Sequence, residues 1–519
     1  MSTGAREEPS SHDIDSEKGL SRDSLTFVGT LAIGLASVAP AYSLAATLGY
    51  VVIETGTLAP VAVILGFIPM LLTAFAYREL NRVIPDCGTT FTWVTKAFGP
   101  RTGWFSGWVL AMAGIIVLAN LAQIAAQYSY DLIGADDLAD DTFWVTVLGV
   151  AFIATMTWVS YRGIEIANWL QNVLVAIQYL ALGILVVVAF AAVLGIGADK
   201  PDTAIDISAS WFNPMEFFKD GGTGWAGITE GMILMIFIYW GWDTILSLNE
   251  ETKDKEKTPG RAAVAATLIL LATYLLTTLA AVSYAGVGTT GIGLGNEENA
   301  DDVFSVVGES VLGSWSWIVI LAVLVSAVAS TQTTILPAAR GTLAMGVYRA
   351  LLSQFAKVHP RFLTPSVSTF VIGGVAIAIY VGLSLLGENV YGDVLLAIGL
   401  MIAFYYGITG YACAWYFRDD IRRGGRDLWV KGVLPLLGAL LLTFAFFKSA
   451  YDMLATDYGY VGYWTVPGLG WEIGSVFLFG MGTILLGLPI MFLLSRRAEQ
   501  QPFFHGETLH HDTPVKAPE

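Results

Sequence analysis

Charge is what this chain has least of. Only 13% of its 519 residues are Asp, Glu, Lys or Arg, about half the usual share of a soluble domain, which excludes an aqueous globular fold for most of its length. Cysteine is almost missing: Cys87 and Cys413 cannot make a disulfide framework. The five histidines, His12, His359, His505, His510 and His511, all lie outside the long apolar runs, so no imidazole relay crosses the interior of a membrane. No HExxH, no GxSxG elbow and no pair of intramembrane aspartates is present, which argues against an intramembrane enzyme, and no filter motif suggests a channel. Gly291, Gly293 and Gly295 spell part of a nucleotide fingerprint, but no strand precedes them; no cofactor is expected. Residues 1–24 are polar and lack a small-residue cleavage pattern, so no cleavable leader is expected.

What is present is apolar. Hydrophobic residues make up 55% of the chain, and the mean hydropathy is +0.63. Twelve runs are long enough to cross a bilayer as helices: 25–53, 58–80, 102–130, 142–161, 168–194, 225–251, 261–286, 314–345, 366–387, 390–417, 430–448 and 473–495. With the N-terminus inside, almost every Lys and Arg falls on the inner side, and only Lys200, Lys219 and Lys448 fall outside. The outer loops carry acids instead, among them Asp136, Asp137, Asp140, Asp141, Glu297, Glu298 and Asp302. This pattern predicts a multi-pass protein of the cytoplasmic membrane with both termini in the cytoplasm. The stretches 1–24 and 496–519 read as solvated, disordered cytoplasmic tails.

Two of these runs are interrupted. The first contains GLASVAPAYSLAATLG, Gly34 to Gly49. Pro40 has no N–H to donate and would clash with the preceding turn, so it suits the first position of a second half-helix. The amides of Ala41, Tyr42 and Ser43 would then be first-turn donors at the positive end of a dipole, suited to a carboxylate. Ser37 and nearby carbonyls would suit a cation. The sixth run, Gly227 to Thr252, holds Gly241 and Asp243 among aromatics. Breaks in runs one and six are what a transporter with two inverted five-helix repeats would show. The expected fold is thus an all-α polytopic membrane protein: a first repeat over 25–196, a second over 225–417, and two extra helices within 430–495.

Three stretches carry a family resemblance. IPDCGTTFTWVTKAFGPRTGWFSGW (84–108), FIYWGWD followed by NEETKDKEKTP, and AARGTLAMG (338–346) leading to HPRFLTP (359–365) together resemble the amino acid–polyamine–organocation (APC) transporters with the leucine-transporter fold. The resemblance covers roughly residues 25–450. It implies secondary transport of an amino acid or related amine by alternating access, through a site of Ser37, Val38, Ala39, Ala41, Tyr42 and Ser43 with Phe237, Tyr239, Trp240, Gly241 and Asp243. Phe237 matches the aromatic that closes over substrate in arginine/agmatine antiporters, and Asp243 matches an acidic position there. A carboxylate at mid-membrane is costly and reads as functional.

Coupling is less determined. Proton-coupled relatives carry a lysine where Gln178 stands, which leaves Asp243 or Glu230 as proton acceptors. Ala327, Ser330 and Thr331 share one helix face, and Ser330 and Thr331 are candidate Na+ ligands, though small hydroxyl residues also serve helix packing. Asn120, Gln123 and Gln127 either line the substrate path or bind helices together. Glu250 and Glu251 read as surface ion pairs or gate contacts at the inner mouth beside Lys253 and Lys255. Proton-coupled or exchange transport is favoured, with Na+ symport as the alternative and a transporter-like amino-acid sensor as the alternative of another class. The expected partners are a small-molecule substrate and the lipid bilayer, with no nucleic acid; the oligomeric state stays open.

Overall fold

The computed structural model describes residues 18–196, 200–300 and 302–514. Helix dominates because each apolar run must satisfy its own backbone hydrogen bonds. The helices start where their sequences permit. Thr26 caps the first, accepting from the Gly29 amide at 3.3 Å, and proline occupies the first turn of the helices beginning at Pro40, Ala59, Pro100, Thr258 and Leu434, where its missing N–H is harmless.

Among the described residues, ten helical stretches are long and apolar enough to cross a membrane. One of them, Phe27–Val83, spans 57 residues and takes in the first two expected runs. The sixth expected run does not form one long helix: it is the 15-residue helix Gly224–Ile238, an irregular turn, and the short helix Thr244–Ser247.

The bundle has a centre and a rim. The apolar windows of Pro100–Leu132 and Trp317–Val347 are 78% and 72% buried, whereas those of Ile164–Val193 and Ser475–Ser495 are only 28% and 22% buried. The apolar residues left exposed on the rim helices, such as Leu180, Val187 and Phe492, form the surface that lipid would cover. At the centre, Phe27–Val38 packs against Ile164–Val193, Thr258–Ala285 and Trp317–Val347. A two-stranded antiparallel hairpin, Tyr463–Thr465 with Glu472–Gly474, is the sheet present among the described residues.

The terminal segments differ from expectation. Residues 1–17 and 515–519 lie outside the described residues, but the rest of each segment contributes buried residues. Lys18 and Leu20 are buried. Leu25 forms a parallel bridge beside Thr252, its amide donating to the Glu251 carbonyl and its own carbonyl accepting from Lys253. The other end of the chain adds the helical turn Gln501–Phe504. There Phe503, Phe504 and Leu509 are buried, with Phe503 against Phe91 at 5.6 Å. The Lys96 ammonium donates to the carbonyls of His510, His511 and Thr513. Apolar burial and a lysine with backbone acceptors order a stretch whose polar composition reads as solvated.

Candidate substrate site

The two interruptions meet. The first is narrower than the sequence suggests: helices Phe27–Val38 and Pro40–Thr55 are separated by Ala39 alone, at φ 52°, ψ 59°. A non-glycine residue in this left-handed region costs about 1 kcal/mol or more. Of the expected free donors, the Ser43 amide is taken by the Ala39 carbonyl at 2.8 Å, and the Tyr42 amide faces the Ser326 hydroxyl at 3.4 Å. The Ser43 hydroxyl returns to the Val38 carbonyl at 2.8 Å. The second interruption covers Tyr239–Asp243, with Gly241 at φ 116°. A Cβ on Gly241 would sit 2.7 Å from the Ser37 carbonyl oxygen, so this close backbone approach admits only glycine. Ser37 Oγ and Thr244 Oγ1 complete the contact at 2.8 Å.

A cavity of about 20 Å³ lies at this junction, lined by Ser37, Trp240, Gly241, Asp243 and Thr244, with Leu110, Gly114, Thr334, Pro337, Ala338 and Tyr405 from neighbouring helices. That is room for one water and not for an amino acid. Asp243 is buried. Its Oδ1 accepts from Tyr406 at 2.8 Å and its Oδ2 from Tyr405 at 3.1 Å. Trp240 Nε1 in turn donates to the Tyr405 hydroxyl.

The other predicted residues fall into groups. Val38, Ala39, Ala41, Tyr42 and Ser43 are buried at the break, and the Tyr42 hydroxyl donates to Asn120. Tyr239 turns away from the cavity and packs against Tyr274 and Phe67. Phe237 belongs to the helix before the break, packs on the main core, and does not line the cavity. Ser330 Oγ donates to the Ser37 carbonyl at 2.9 Å, while Thr331 Oγ1 donates back to the Ala327 carbonyl at 2.8 Å. Gln178 is fully buried, with neither amide atom partnered among the described residues. Glu230 is bound to Lys448 at 2.7 Å.

A second cavity, of about 220 Å³, lies toward one end of the bundle. Tyr42, Gln127, Tyr128, Asp131, Asp140 and Asp302 are in its wall, and no Lys or Arg is. It begins at Tyr42, just past the first break. The opposite end is shut by buried charge. Lys18 Nζ reaches Asp86 Oδ2 at 2.8 Å and also Glu250. Asp86 further accepts from the Gly88 amide, the Thr92 hydroxyl and Tyr348, and Glu250 Oε1 accepts from the Cys87 amide. Arg340 clamps Glu251 with two donors at 2.5 and 2.9 Å. Glu250 and Glu251 are therefore buried and paired with Lys18 and Arg340, not surface residues paired with Lys253 and Lys255. Burial opposes the Lys18 ammonium, but the neighbouring Asp86, Cys87 and Glu250 outweigh it and hold its pKa well above the ordinary lysine value. Burial likewise raises Asp86, and Lys18 with its other donors brings it below the usual carboxylate value.

Sequence reasoning missed Tyr405, Tyr406, Pro337, Lys18 and Asp86. Paired tyrosines inside an apolar run, FYYG, were a signal for the first two. Nothing local marks Lys18, whose partners lie 68 and 232 residues away.

The sequence profile described as "Amino acid permease" matches residues 25–469. The branched-chain amino acid permease BcaP of Lactococcus lactis is 26% identical over 426 residues, covering 79% of this chain and 83% of its own length. The low-affinity putrescine importer PlaP of Escherichia coli is 25% identical over 431 residues, 81% of this chain and 87% of its own. The methylthioribose transporter of Bacillus subtilis is 23% identical over 330 residues, 62% and 66% respectively. With a polytopic helical bundle built around two broken segments, and a family match over most of its length, the chain is a secondary membrane transporter, not an enzyme, and belongs to the amino acid permease family.

Proposed function

We propose that this protein carries an amino acid or a related amine across the cytoplasmic membrane by alternating access, driven by a proton or by exchange. The observation that carries this reading is the meeting of the two breaks at the cavity holding Ser37, Gly241 and Asp243. Backbone polar groups freed at mid-membrane are tolerated where they line a cavity, and a buried carboxylate is the natural partner of an ammonium group. Amino acids and putrescine, named in the relatives' descriptions, share that ammonium.

On this reading the chain has twelve spans, with repeats at 25–196 and 225–417, extra helices within 430–495 and both termini in the cytoplasm. The substrate contacts are Ser37, Val38, Ala39, Ala41, Tyr42, Ser43, Trp240, Gly241 and Asp243, with Phe237 as a gate; Tyr239, predicted with them, packs on Tyr274 and Phe67 instead. The Lys18 end is then cytoplasmic and closed, and the acidic cavity opens outward. Ser330, which bridges to the Ser37 carbonyl, supports a second reading in which Na+ sits between these oxygens, Thr331 and Ala327.

Uptake of radiolabelled leucine and putrescine into proteoliposomes tests this, first with Na+ replaced by choline at fixed pH, then with a pH gradient at fixed Na+. Concentrative uptake that survives in choline and follows the pH gradient, or that needs internal substrate, is expected. Strict Na+ dependence lost in Ser330→Ala would favour the second reading. No flux of either solute would overturn both. For topology, cysteines at Glu298 and Asp457 should label from outside, and those at Lys255 and Arg423 only from inside.

A further inference from the structure

Asp243 is held by two adjacent tyrosines that are not equivalent. Tyr406 is wedged among aromatics: its ring meets Tyr77 at 5.7 Å and Trp242 at 5.3 Å, and Tyr77 also packs edge-on against Trp93 and Trp242. It does not line the cavity. Tyr405 does. Its hydroxyl makes the longer of the two bonds to the carboxylate, 3.1 Å against 2.8 Å, and it accepts from Trp240 Nε1, another cavity residue.

A buried carboxylate oxygen left without a donor is costly. At this junction the Tyr405 O–H supplies that donor to Oδ2. An ammonium arriving in the cavity competes with the cavity-lining Tyr405 for Oδ2, while Tyr406, packed among aromatics, holds Oδ1. Binding is then an exchange of one donor for another. The site stays compensated when empty, and the net gain on binding is the difference between a charge-assisted bond and a neutral one.

We propose that Tyr405 sets the affinity of this site for amines: its hydroxyl holds the place of the substrate ammonium on Asp243 and yields it on binding. The proposal rests on the reading that Asp243 faces the substrate. Solutes without an ammonium leave the Tyr405 bond to Asp243 in place, so Tyr405 tunes the affinity for amines alone. Trp240 would keep the displaced hydroxyl within reach, ready to return on release.

The test uses the full chain in proteoliposomes, with leucine and putrescine as transported probes and isocaproate (leucine's carbon skeleton without the ammonium) as competitor. Tyr405→Phe removes the placeholder. Half-saturation should fall roughly tenfold, the size of one lost hydrogen bond to a charged group, and kcat should fall as release slows, while inhibition by isocaproate stays unchanged. A merely structural role would lower kcat without tightening KM. Tyr406→Phe should show no such split. Unchanged or weaker apparent affinity in Tyr405→Phe, or equal tightening toward isocaproate, overturns the proposal. Asp243→Asn separates the two levels. If it transports with unchanged KM, the site reading fails. If it loses amine binding while Tyr405→Phe leaves KM alone, only the role of Tyr405 fails.

Discussion

At the Lys18 end of the bundle, charges are buried in contact: Lys18 with Asp86 and Glu250, Arg340 with Glu251, all with side chains at most 2% exposed. At the Asp302 end, three aspartates stand in the wall of a cavity of about 220 Å³ that no Lys or Arg lines among the described residues. Both ends are rich in acid. The difference lies in where the cation comes from. One end takes it from the chain itself, across long sequence separations, and is thereby closed and dry. The other sets its aspartates among hydroxyl and amide donors, Asp302 accepting from the Ser305 amide and hydroxyl, along a cavity wall that holds no Lys or Arg among the described residues. A tethered ammonium neutralises its buried partners, and an acidic cavity without one attracts mobile cations by its field.

The largest way to break this contrast is Arg340→Met. It strands Glu251, fully buried, without its clamp, and breaking such a pair costs roughly 3–5 kcal/mol. A large drop in thermal stability of the detergent-purified protein is the expected outcome; a change within about 0.5 kcal/mol, typical of a surface site, would mean that the pair is solvated.

Next comes Lys18→Met, which leaves Asp86 with its three other donors but unlocks the end. Cys87 is fully buried there, and burial pushes its thiol pKa up, so a permeant maleimide should leave the wild type unlabelled and modify the variant. Equal protection in both would show that Lys18 does not hold this end shut.

A smaller effect is expected at the other end. Asp131→Asn and Asp302→Asn should raise the half-saturation for putrescine a few-fold, leave leucine nearly unchanged, and lose this difference in high salt, because solvated charges are screened. A loss of leucine and putrescine uptake in parallel would point to structural damage instead.

The smallest expected effect is that of pH on the closed end. A raised lysine pKa contributes stability that is complete below about 10.4 and lost as pH climbs through the folded value; a lowered aspartate pKa contributes stability present above about 3.9 and lost as pH falls through the folded value. Both Lys18 and Asp86 are shifted in these directions. Cys87 protection should therefore be flat between about pH 5 and 9, and any pH dependence of flux in that window must arise elsewhere. Labelling that switches on within it would contradict the pairing.

By itself, the sequence determined the class of protein and the places where its helices fail. Low charge and long apolar runs leave no alternative to membrane helices. Pro40 and Gly241 mark breaks because one removes an N–H and the other permits a backbone that a Cβ would block, and both are local chemistry. The family motifs around 84–108 and 225–251 agree with the match over 25–469. What tertiary structure alone decided is which polar groups find one another. Lys18, in an acidic segment that reads as solvated, is the closing cation because folding brings Asp86 and Glu250 to it. Tyr239 lies in the break beside Trp240, and Phe237 just before it, yet both turn to the core, while Tyr405, more than 160 residues away, lines the cavity. A buried charge accepts whichever donor the packing supplies, and packing is not a local property of the chain.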